Sequence, residues 1–115
     1  MLPMRRKIEH IIEHECKVKS FVKGTFDEKR ILVDLDKICS KTSSNQTLKG
    51  LLFGVKDIIN VDGYPTRCGS LLPHELFKGL QASCVSKLLN AGAIFAGKTV
   101  TAEFAVSDPG ETRNP

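Results

Sequence analysis

"LLFGVKDIIN" occupies residues 51–60, an almost unbroken apolar run with a lysine and an aspartate, Lys56 and Asp57, in its middle. Its lack of polar alternation suits a strand buried on both faces, the kind found in parallel sheets. Further on, "AIFAG" (93–97) reads the same way. Between them "ASCVSKLLNA" (82–91) has the spacing of a helix, with Val85, Leu88 and Leu89 on its inner side and Gly92 as its stop. Strand, helix and strand in that order predict a right-handed βαβ crossover. The fold class is therefore α/β.

An ammonium group is costly to take out of water unless it is paired or gives up its proton. The residues alone leave two readings of Lys56 open. It is either a strand-end lysine that snorkels to water or meets a carboxylate, or a base kept dry for a purpose. Asp57 does not decide between them, because successive strand side chains point to opposite faces. The aspartate is expected to order the loop that follows.

Upstream, residues 5–18 form an amphipathic pattern with Ile8, Ile11, Ile12 and Val18 on one side. A second helix opens at "TFDE" (25–28), where Thr25 is placed to cap and Glu28 to reach back. Its stripe is Ile31, Leu32, Leu35, Ile38 and Cys39. "SKTSSNQT" (40–47) is a polar loop, "DGYPTRCGS" (62–70) is rich in turn formers, and 71–80 is irregular. "TAEFA" (101–105) suits a short helical turn, and "SDPGETRNP" (107–115) a loop. The chain divides into an N-terminal helical segment, 1–47, and the βαβ part, 48–115. Two parallel strands do not make a stable sheet by themselves. The reading is thus of the opening section of a larger α/β domain, which alone exposes apolar surface and an unpaired sheet edge.

Of the 115 residues 41% are hydrophobic and 26% charged, which excludes wholesale disorder. The net charge is +4, but lysines and arginines alternate with acids and lack interleaved aromatics. That describes a solvated basic surface rather than a nucleic-acid face. Cys16, Cys39, Cys68 and Cys84 contain no C-x-x-C pair, and the basic start "MLPMRRKIEH" (1–10) is not followed by an apolar secretory core. No apolar stretch is long enough to span a bilayer. A reduced, cytoplasmic protein with free thiols and no membrane partner is expected.

Two short motifs invite sharper readings. "GAIFAGKT" (92–99) fits the phosphate-loop pattern G-x-x-x-x-G-K-[ST]. In a phosphate loop the four middle residues form a turn between a strand and a helix. Here they are the strand itself, with Lys98 at its end, so the buried strand is preferred and no nucleotide cofactor is expected. "HIIEH" (10–14) fits the zinc-peptidase pattern H-x-x-E-H, with His10 and His14 on one helix face. That face lies opposite the isoleucines, so a solvated surface is preferred and no metal is expected.

Three runs in order, "LKGLLFGVKDIINVDGYPTRCGS" from residue 48, "LLNAGAIFAGKTVTAEFA" and "DPGETRNP", resemble the amidase signature family of serine hydrolases. The resemblance implies an α/β/α fold with a mixed sheet, of which this chain is the opening part. It implies cleavage of carboxamide C–N bonds in a small-molecule substrate by a Ser–cisSer–Lys triad, without cofactor or metal. The triad lysine falls on Lys56, the candidate catalytic residue. A desolvated lysine can accept a proton near neutral pH and so activate the nucleophile through the bridging serine. Gly69 and Ser70 are expected near the site, but Ser70 is not the family's nucleophile. The Gly/Ser-rich run that carries both serines and the oxyanion hole in the family has no counterpart here; "KTSSNQT" (41–47) lies upstream and lacks the glycines. The chain alone is therefore expected not to hydrolyse amides. It departs from the family at Gln81, usually acidic, and at Glu111, usually proline, and "GKTVTAEFA" leans towards general amidases. A non-enzymatic remnant that docks through its open sheet edge is the alternative.

Overall fold

The computed structural model describes residues 2–41 and 46–114. The polar loop expected at 40–47 falls partly on 42–45, outside the described residues. The elements are α1 (Leu2–Val18), α2 (Glu28–Ser40), β1 (Leu52–Lys56), α3 (Ser83–Asn90) and β2 (Ile94–Thr99). Single 3₁₀ turns lie at His74–Phe77 and Glu103–Ala105. α1 starts earlier than the apolar pattern, at Leu2. Pro3 occupies its first turn, where a missing N–H forfeits no helical bond.

β1 and β2 pair in parallel, joined through α3. Ile94 and Ala96 of β2 pack with Met4, Ile8, Ile31 and Leu35 from the two N-terminal helices. Phe95 packs with Val55, Val61 and Val85, the last from α3. The result is a helix–sheet–helix sandwich with β2 at its centre. Fully burying side chains such as Ile8, Ile31 and Val85 contributes roughly 1.5–3 kcal/mol each. Burial on both faces, expected of both strands, holds for β2 only. Residues 94–98 are all buried, whereas Val55 is the one buried residue of β1. Leu89, expected inward on α3, is also partly exposed.

The pairing is Phe53 with Phe95 and then Gly54 with Gly97, so Ala96 is an extra residue, a β-bulge. One extra residue inverts the faces of everything after it. Val55 is the partner of Lys98 in the ladder, and Val55 belongs to the Phe95 cluster on the α3 side. Lys98 therefore points to that side. Without the bulge it would follow Ile94 and Ala96 into the apolar core beneath α1 and α2. Arg30 of α2 steadies the bulge by donating to the carbonyls of Phe95 (2.7 Å) and Ala96 (2.9 Å). Its guanidinium also sits 5.2 Å from the Phe95 ring centre.

The cap of α2 differs from expectation. Asp27, not Thr25, is the N-cap, and its carboxylate accepts the Arg30 N–H at 3.2 Å. Thr25 is buried beside β2. Its hydroxyl donates to Val22 O (2.7 Å) and accepts the Lys98 backbone N–H (3.1 Å). A sheet edge that would lack a partner takes the hydroxyl, and the exposed aspartate suffices for the helix. Gln81 also has a structural use: its side chain accepts the Asp62 N–H (3.1 Å) and donates to Ser86 Oγ (2.9 Å).

Candidate active site

The carboxyl ends of the strands are where open α/β sheets receive ligands. Here β1 ends at Lys56 and β2 at Thr99, partners in the ladder. Lys56 is exposed. It shares its side of β1 with Gly54, whose missing Cβ would lie 2.7 Å from Thr99 Cγ2. The expectation that this lysine is kept dry is not met among the described residues. Leu52, on the same side, packs against the cluster beneath α1 and α2, but the cover does not reach Lys56, whose side chain stays in water.

The desolvated lysine is the other one. The Lys98 side chain is 0% exposed, and its ammonium faces three oxygens. These are Ile59 O at 2.7 Å, Thr66 Oγ1 at 3.1 Å and Asp57 Oδ1 at 3.0 Å. The Asp57 contact is ionic, without the angles of a directed hydrogen bond, so that oxygen has no hydrogen-bond donor of its own. Its second oxygen accepts the Arg67 N–H at 3.3 Å. The Thr66 hydroxyl in turn donates a hydrogen bond to Asn60 Oδ1 at 2.7 Å. A buried ammonium with two hydrogen-bond acceptors and a carboxylate against it is an arrangement that offsets desolvation.

Asp57 orders the following loop. Its backbone N–H donates to Thr99 O and its carbonyl accepts the Cys68 N–H, both at 2.9 Å. The loop then turns through left-handed backbone at Cys68 (φ 56°) and Gly69 (φ 66°). Glycine is required at the second position, since a Cβ there would lie 2.8 Å from Thr101 O. Burial pushes the Cys68 thiol pKa up; the Asp57 carboxylate adds to this and Lys98 opposes it. A cavity of about 280 Å³ lies beside this loop, lined by Asp57, Arg67, Gly69, Ser70, Val100 and Thr101 among others. Ser70 lines this cavity, and its hydroxyl oxygen accepts the Leu72 N–H at 3.2 Å.

The phosphate-loop match is a strand, β2, as its apolar middle implied. His10 and His14 are both exposed on α1. Sequence reasoning missed the Asp57–Lys98 pair and its partner Thr66. The one available signal was a charged residue near the end of each apolar run. Joining the two required knowledge of the bulge.

A sequence profile of the amidase family matches residues 4–115, nearly the whole chain. The protein belongs to the amidase signature family. The match takes in the N-terminal helices as well as the motifs from residue 48 on. Similar curated proteins include the A subunit of the glutamyl-tRNA(Gln) amidotransferase of Salinibacter ruber, 42% identical over 74 residues (59% of this chain, 14% of the relative). That of Methanosarcina barkeri is 34% identical over 94 residues, 82% of this chain and 20% of the relative. That of Desulfotalea psychrophila is 32% identical over 108 residues, 91% of this chain and 22% of the relative. A crystal structure of an amidase superposes with a TM-score of 0.66 at 27% identity, covering 93% of this chain and 27% of that one. The α/β architecture and its place in the N-terminal part of an amidase fold agree with this superposition. The chain spans about a quarter or less of the relatives it matches.

Proposed function

We propose that the chain is the N-terminal part of an amide hydrolase, in which Lys56 is the base of a Ser–cisSer–Lys relay acting on a small carboxamide. The observation that carries this reading is positional. Lys56 stands in the family's "VKD" run and ends β1 at the carboxyl edge of a parallel pair, where ligands of such sheets bind.

The chemistry sets what else is required. A lysine removes a proton only as the neutral amine, which desolvation favours. The segment that brings the serines must therefore also cover Lys56. The amine takes the proton of the bridging serine, which takes that of the nucleophile. The nucleophile attacks the carbonyl, the amine leaves with a proton, and water cleaves the acyl-enzyme. None of the 115 residues forms the Gly/Ser-rich run that would supply nucleophile and oxyanion hole, so on this mechanism the chain alone is inactive. Four unpaired thiols suit work in a reducing, cytoplasmic setting.

The test is ammonia release from simple carboxamides. The isolated chain gives none above background. A fusion to the rest of an amidotransferase A subunit such as that of Desulfotalea psychrophila turns over, and Lys56→Ala in it lowers kcat/KM about 10²–10⁴-fold. An unchanged rate in Lys56→Ala removes the lysine from the mechanism.

A second reading, a non-enzymatic module that docks through apolar surface, is favoured by the leucines at Leu71, Leu72, Leu76 and Leu80, all exposed. A genuine gene product that ends near residue 115 and binds a folded partner through these leucines would support it.

A further inference from the structure

We propose that His10, Glu13 and His14 of α1 bind one divalent late first-row transition-metal ion, such as copper(II), nickel(II) or zinc(II). Positions i, i+3 and i+4 of a helix share a face. One ligand atom from each of the three residues lies within 4.8 Å of the other two. The two imidazole centres are 4.2 Å apart. Metal–nitrogen bonds of about 2.0–2.1 Å bring donor atoms to roughly 3 Å from one another. All three side chains are exposed, so their rotamers are free to bring the donors together.

An independent observation concerns the ring of His14. Its Nδ1 lies 2.8 Å from the carbonyl oxygen of His10, an acceptor, so Nδ1 donates there and Nε2 is the nitrogen turned to a metal. A backbone carbonyl that holds the non-ligating nitrogen of a histidine is the usual outer support of metal-binding imidazole. Two imidazoles and one carboxylate select copper, nickel and zinc over magnesium and calcium. In the peptidase motif the glutamate serves as a base, whereas here it is a ligand. The site uses no residue of the strand-end cavity and is independent of the amide chemistry.

The ion bridges one turn of α1 and binds the folded helix better than the unfolded chain, so it raises the unfolding temperature. Titration calorimetry of the 115-residue chain with copper(II), nickel(II), zinc(II) and magnesium(II) is the primary test. One equivalent should bind, copper(II) most tightly and magnesium(II) not at all. His10→Ala and His14→Ala should each weaken binding about tenfold or more, with the helical circular dichroism retained because both side chains are exposed. Cys16→Ser, which removes the nearest thiol along the helix, should change nothing. The sequence has three histidines, and His74 lies on a different element, which makes it an internal reference. Substoichiometric copper(II) should broaden the ring-proton resonances of His10 and His14 and spare those of His74. Equal broadening of all three, binding that survives loss of both histidines, or binding abolished by Cys16→Ser would overturn the proposal.

Discussion

Lys98 and Lys56 lie near the ends of neighbouring strands and differ in what surrounds them. The Lys98 ammonium is enclosed by Asp57, Ile59 and Thr66, so its removal strands a buried carboxylate. Breaking such a pair on one side costs about 3–5 kcal/mol. Lys98→Met should lower the urea-unfolding free energy by that amount. Lys56→Ala, at an exposed position, should stay within about 0.5 kcal/mol of the wild type. Cys68 allows a separate check. Its thiol pKa is raised, chiefly by burial, so less thiolate is present at a given pH. Its contribution to stability is full below the pKa of the unfolded thiol and fades as pH climbs through that of the folded one. Titration with a disulfide reagent near pH 8 should show Cys16, Cys39 and Cys84, all exposed, reacting first. Cys68 should react slowly until urea unfolds the chain.

At the scale of elements, the bulge at Ala96 decides which lysine is buried, and Arg30 holds that bulge. Hydrogen bonds from a charged donor are worth about 1.5–3 kcal/mol each. Arg30→Ala should therefore destabilise the fold by at least about 2 kcal/mol. Arg30→Lys should recover only part, because an ammonium cannot present the fork that meets two carbonyls. Gly97→Ala should also destabilise, since its Cβ would lie 2.8 Å from Phe21 Cδ1 and 3.1 Å from Thr25 O. The apolar runs made the elements legible in the sequence: both strands and all three helices lie on the expected stretches, although α1 begins earlier, at Leu2, and Ile12, placed on its apolar side, is exposed. The bulge was not legible, because no residue type at Ala96 marks an inserted position. The α2 cap was misread for a related reason. Thr25 and Asp27 are both good capping residues, and only the demand of β2 for the Thr25 hydroxyl separates them. The dry environment assigned to Lys56 belongs to Lys98, because burial depends on what packs across a strand and not on the strand's own letters.

For the whole molecule, the sandwich covers β2 on both faces but leaves much apolar surface open. Leu71 and Leu80 are essentially fully exposed, and β1 is buried at Val55 alone. The isolated chain should bind an environment-sensitive dye at neutral pH, and replacing Leu71, Leu76 and Leu80 by Ser should reduce that signal without loss of the helical spectrum. The same openness leaves room for the cover that Lys56 needs if it is to act as a base. On the proposed mechanism this exposed strand-end lysine, and not the buried one, performs the chemistry. The decisive experiment is the rate of single-turnover acylation by a slowly deacylating amide in the fused protein, compared with Lys56→Ala after both are shown to fold. With Lys56 as the base, acylation should fall about 10²–10⁴-fold while the unfolding midpoint stays put. Acylation at the wild-type rate in Lys56→Ala would show that the proton goes elsewhere.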